Sequence, residues 1–150
     1  MSGTDLATAV NGIIGAIINE LATAQASTLK DVVAISRGDR SRGRQGLPML
    51  WVLPEVANPT STRLSMAEEW EMSVNLVALV KEDDPATGNQ NAISLAARAR
   101  NVILTGNRNL NLSYVRDVRS GRFEMNSPYD GEGNLYASLA ELKITFITRG

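Results

Sequence analysis

From Trp70 to Val80 the even positions read Trp70, Met72, Val74, Leu76, Ala78 and Val80, while the odd positions open with Glu71, Ser73 and Asn75. Successive side chains of a strand point to opposite faces, so this alternation predicts a strand with one buried face. Toward its end Val77 and Leu79 make both faces apolar, and that end is expected to be covered on both sides. The residues from Glu69 to Lys81 span about 43 Å when straight. A compact domain of 150 residues is only about 38 Å across. The last apolar segment, Leu135 to Thr148, is just as long, with Tyr136, Ala140, Leu142, Ile144 and Phe146 on one face. Either both strands bend at bulges, or the sheet projects and another chain covers it, because open edges aggregate.

Two helices accompany these strands. Leu6, Val10, Ile13, Ile14, Ile17, Ile18 and Leu21 recur at helical spacing, with Thr4 or Asp5 as the cap. The other face of this helix carries Ala7, Thr8, Asn11, Gly12, Gly15 and Ala16, small and uncharged where a solvated face normally holds Lys and Glu. Gly12, Gly15 and Ala16 are therefore the candidate packing residues against a neighbouring subunit. A leader peptide would place Lys or Arg where Asp5 stands, and Asn11, Asn19 and Glu20 interrupt the apolar run, so a core helix is the better reading. A second helix is expected from about Asn91 to Leu104, after a turn and cap region at Asp83–Gln90 and before Gly106.

Between these elements, Val32, Val33 and Ile35 predict a short strand, and Leu47–Val56 another, buried or at an edge, held between Pro48 and Pro54. Loops are expected at Ser36–Gly46 and Pro59–Ser65. Leu110–Val118 reads as a strand, and Ser120-Gly121 as a tight return into Arg122–Met125. Ser127–Asn134 is an acidic turn. The whole, residues 1–150, is one α+β domain: a mostly antiparallel sheet with two helices packed on one face.

Cysteine and histidine are absent. That removes thiol nucleophiles, thiolate metal sites, the usual general base and every Ser-His-Asp or Cys-His triad. No catalytic, cofactor-binding or metal-ligating residue is expected. Gly38–Gln45 has the glycine spacing of a phosphate loop but lacks its Lys and Ser/Thr. Asp130, Glu132, Asn134, Tyr136, Ser138 and Glu141 fit a calcium-loop spacing, yet Leu135 stands where the sharp turn needs glycine. A carboxylate site at Glu68, Glu69 and Glu71 fails because adjacent strand residues face opposite ways.

The arginines carry more information. Twelve of the fifteen basic residues are Arg, clustered as Arg37, Arg40, Arg42 and Arg44 in one loop and Arg116, Arg119 and Arg122 farther on. Arginine is favoured where carboxylates or phosphates are bound by two parallel hydrogen bonds. Acidic residues lie elsewhere along the chain: Glu68, Glu69 and Glu71, then Glu82, Asp83 and Asp84, then Asp130 and Glu132. Segregated charge in a chain of net charge −1 suits contacts between copies; scattered surface charge is the other reading. A nucleic-acid-binding module would use the same arginines, but there is no basic recognition helix and aromatics are only 5%.

A long N-terminal helix, an arginine-rich loop, a long alternating strand, a second helix, a strand pair and a final strand together resemble the tail terminator proteins of long-tailed bacteriophages. Related tail-completion and neck subunits share much of that plan. The resemblance covers Leu6 to Thr148 and rests on architecture, size and the missing catalytic residues. It implies a non-enzymatic virion subunit, assembled in the host cytoplasm, that forms a ring, commonly a hexamer, on the last ring of tail-tube protein. It also implies a head connector or stopper protein as partner, DNA passing through the lumen, and no membrane. Another head-to-tail joining protein of similar build is the alternative.

Overall fold

A computed structural model describes residues 4–38, 48–61, 67–125 and 134–149. The elements in order are α1 (Leu6–Ala24), β1 (Ala34–Arg37), β2 (Met49–Ser61), β3 (Ala67–Lys81), α2 (Pro85–Leu104), β4 (Val115–Glu124) and β5 (Leu135–Arg149). The strands form one sheet in the order β1-β2-β3-β5-β4. Every neighbouring pair is antiparallel except β1 with β2. The chain is thus α+β, as its pattern predicts.

The apolar faces explain the layering. Met72, Val74, Leu76, Ala78 and Val80 of β3 and Ala140, Leu142, Ile144 and Phe146 of β5 are buried in one core. Ile13, Ile14, Ile17 and Leu21 of α1 and Ala92, Leu95, Ala96, Ala99 and Ile103 of α2 close over the same core, so both helices lie on one face. On the opposite face, Val77 and Leu79 are buried with Met49, Trp51, Ala137 and Leu139. The covering expected on both sides of that end is present. α1 is long and apolar enough to cross a membrane by length and composition, but six of its residues are buried, which fits a core helix.

Several boundaries differ from expectation, each for a local reason. α1 is capped by Asp5, whose carboxylate accepts the Thr8 N–H at 2.8 Å. α2 begins at Pro85, six residues before the expected start: Asp84 is its N-cap, accepting the Thr87 N–H at 3.1 Å, and Pro85 opens the first turn. Gly88, read as part of a turn, lies inside the helix because the Tyr136 ring packs on its bare backbone.

β2 does not stop at Val56. It runs through Pro54 and Pro59 with register shifts after each. β1 pairs only with Met49–Val52, so among the described residues nothing pairs with the outer side of β2 beyond Val52, where a missing N–H is tolerated. The Ser120-Gly121 return is not a hairpin either. β4 is one strand with a register shift between Ser120 and Phe123, and the stretch before Val115 is turn, with Leu110 and Asn111 at positive φ.

β3 and β5 pair along their full length, from Ala67 with Arg149 to Lys81 with Leu135. Fifteen residues each extend about 50 Å, while helices of 19 and 20 residues extend about 30 Å. Each helix is thus shorter than these strands, yet the core-face residues Ala140, Leu142, Ile144, Phe146 and Thr148 of β5 are all buried.

Candidate functional site

The face of the sheet without helices carries a network of charges assembled from four strands. Its anchor is Glu141 of β5, 6% exposed. The β4 bulge brings the Arg122 N–H to within 3.1 Å of one carboxylate oxygen of Glu141, and the Arg122 guanidinium to 2.7 Å from the other. Gly121 makes the approach feasible: a Cβ there would sit 2.9 Å from the Glu141 carboxyl carbon and closer to its oxygen. A buried carboxylate needs such partners, since an unpaired one would cost several kcal/mol, about 3–5 by measured broken pairs.

Arg122 serves three carboxylates. Its Nε donates to Glu124 at 2.6 Å, and Glu55 lies 3.7 Å away. The Glu124 hydrogen bond, then the charges of Glu141, Glu124 and Glu55, hold its guanidinium above the usual arginine range. Farther along the face Arg119 pairs with Glu71, and Lys143 approaches the same carboxylate at 3.8 Å. Glu69 accepts from the Thr60 hydroxyl at 2.7 Å. Asn75, 7% exposed, donates its amide N–H to Glu55 at 3.2 Å.

This arrangement bears on the two arginine clusters. Arg119 and Arg122 are matched to acids of their own chain, so the charge segregation seen along the sequence does not hold in space for Glu71. Arg116 is exposed on β4. Arg37 is exposed and donates to Asn11 of α1 at 2.6 Å. Arg40, Arg42 and Arg44 lie outside the described residues, as do Asp130 and Glu132. Glu141, weighed in the sequence only as a calcium-loop position, is instead the buried anchor of this network, and its signal was a lone acid in an apolar strand, at a position beside Gly121.

The other candidate surface is α1. Ala7, Thr8, Asn11, Gly15, Asn19, Ala22 and Thr23 are all exposed and none is charged. Of the expected packing residues, Gly12 is used within the chain: a side chain there would collide with the Tyr114 hydroxyl. Gly15 meets nothing within 4 Å, and Ala16 is half-buried against the core. The three thus do not form one outward face.

A cleft of about 330 Å³ lies between α2 and the end of β3, lined by Asp31, Lys81, Glu82, Asn91, Ser94 and Arg98 among others. Its Arg98 is engaged, holding both Asp31 oxygens at 2.8 and 3.0 Å and the Thr28 carbonyl at 2.9 Å. That pairing keeps the Asp31 carboxyl below its ordinary range. Among the described residues no group of three or more acidic, His or Cys side chains is arranged to hold a metal ion.

The fold and its surfaces place the chain in the α+β class, with a mixed, mostly antiparallel five-stranded sheet. Comparison with protein-family models and with curated proteins finds no match.

Proposed function

We propose that this chain is a structural virion subunit. In this reading it forms a ring, commonly a hexamer, at the head-proximal end of a phage tail, ends tail-tube growth, and joins the tail to the head connector. The observation that carries the reading is the exposed face of α1, where Ala7, Thr8, Asn11, Gly15, Asn19, Ala22 and Thr23 carry no charge. A helix face without Lys or Glu is suited to being covered by another subunit. The nucleic-acid-binding alternative is weakened, because Arg119 and Arg122 are already matched by carboxylates.

The test is electron microscopy of particles assembled with and without this protein. Loss of the protein is expected to give tubes of uncontrolled length and heads without tails, and labelled protein is expected as a ring at the head-proximal end. Normal joined particles in its absence would rule the role out.

A further inference from the structure

Glu20 stands half-buried on α1, and its carboxylate has no hydrogen bond or ion pair to another described residue. It is set against the C-terminal end of α2. Its Oε2 lies 3.8 Å from the position a Cβ would take at Gly106, and the Val102 and Ile103 carbonyl oxygens lie 3.4 and 3.6 Å from the same point. Three oxygens therefore border one small space, beside a glycine that is exposed to solvent.

Nothing described supplies the positive charge this corner calls for. The C-terminus of a helix carries a partial negative charge from its last carbonyls, so a carboxylate there is disfavoured. α2 has no basic residue in its last turn. The Gly106 N–H, which in a continuing helix would reach the Val102 carbonyl, goes to Ile103 at 3.3 Å instead, leaving the Val102 oxygen without that donor. Thr105 turns its hydroxyl back onto the Asn101 carbonyl at 2.6 Å. The cations nearest in sequence point elsewhere: Arg100 donates to the Asn101 side chain at 3.0 Å, and Arg108 holds Asp117 at 2.7 and 2.9 Å.

One carboxylate and two main-chain carbonyls, open to water on one side, are the donors of a hard cation. Calcium takes such oxygens together with waters in a flexible shell, whereas magnesium demands a near-ideal octahedron and gives up its waters reluctantly. Softer metals seek imidazole or thiolate, and the chain has neither. We propose that Glu20 and the carbonyls of Val102 and Ile103 bind a calcium ion, with water completing its shell, and that the ion ties α1 to the end of α2. A single carboxylate puts the site in the weak class, with a dissociation constant of about 0.1–1 mM. The site is independent of the ring reading above.

The experiment is thermal unfolding of the whole chain in calcium chloride, magnesium chloride or sodium chloride at matched ionic strength, with wild type, Glu20→Gln and Gly106→Ala. Gly106 is not at positive φ, so alanine suits its backbone while its methyl group occupies the space between the oxygens. Calcium at tenfold its dissociation constant is expected to raise the folded-to-unfolded ratio of wild type about tenfold. Magnesium is expected to do little, and both variants are expected to lose the calcium response. Without calcium, Glu20→Gln should melt no lower than wild type, because it removes a carboxylate from a helix C-terminus; a lower midpoint would overturn the premise of uncompensated charge. Equal shifts of wild type in calcium and magnesium would overturn the proposal. A calcium shift that survives Glu20→Gln would place the ion at other carboxylates and overturn it as well.

Discussion

Gly88 offers a measurable test of how α2 is seated. Glycine in a helix interior is disfavoured by about 1 kcal/mol relative to alanine, so Gly88→Ala would ordinarily stabilise. Here a Cβ would fall 2.8 Å from Tyr136 Cγ and nearer still to the ring edge. The ring root cannot swing aside as the tip of a long side chain can, and overpacking of this kind costs about 1–3 kcal/mol. The net expectation is a loss of about 1–2 kcal/mol, taking the larger part of that range and subtracting the helix gain. For a chain of this size that lowers the melting midpoint by about 2–8 °C. In a Tyr136→Leu background the obstruction is gone, and Gly88→Ala is expected to stabilise by about 1 kcal/mol. Urea unfolding of the four proteins, compared at constant denaturant slope, gives the coupling directly. A Gly88→Ala effect of the same sign and size in both backgrounds would refute the packing argument.

Gly12→Ala is expected to destabilise in the wild type but not in Tyr114→Phe, which removes the hydroxyl that a Gly12 side chain would meet; thermal melts of the four proteins check this. Gly15→Ala, which opens on no neighbour, should stabilise by about 0.5–1 kcal/mol in the same assay. Arg98→Gln should alter the acid limb of stability. The Asp31 carboxyl is lowered from 3.8 chiefly by its hydrogen bond to Arg98, so its contribution is present above about pH 4 and is lost as pH falls through the lowered value. Urea midpoints between pH 2 and pH 7 should therefore fall less steeply with acid in the variant, and unchanged steepness would exclude the pair as a source of acid sensitivity.

The elements legible in the sequence are those with one buried face. α1, β3 and β5 show their helical or alternating period because core burial is written at fixed spacing. What was not legible depends on partners distant in sequence. Gly88 reads as a helix breaker until Tyr136 is seen to fill its missing side chain. Pro59 reads as the start of a loop until β2 is seen to run on through it beside β3. Gly121 reads as a hairpin turn until Glu141 is placed beside it by the pairing of β4 with β5. The same limit applies to the charged face. The arginines were visible as a cluster, but Glu71 and Glu141, which match them, come from other strands by register alone.

The position of β5 in the sheet has a consequence for how the chain is made. β5 lies between β3 and β4, yet it is synthesised after both. Until it arrives, β3 has a partner only in β2, β4 has no neighbour in the sheet, and the core surface of α2 that meets β5 has nothing to close on. Local hairpin and helix contacts can form early, but the central ladder must wait for loop closures spanning α2 and β4, which makes folding slow. During that interval the β3 edge that β5 will pair with is open to other nascent chains. Insertion of one strand then completes both halves of the sheet at once, so truncation that removes β5 should abolish the fold rather than trim its edge.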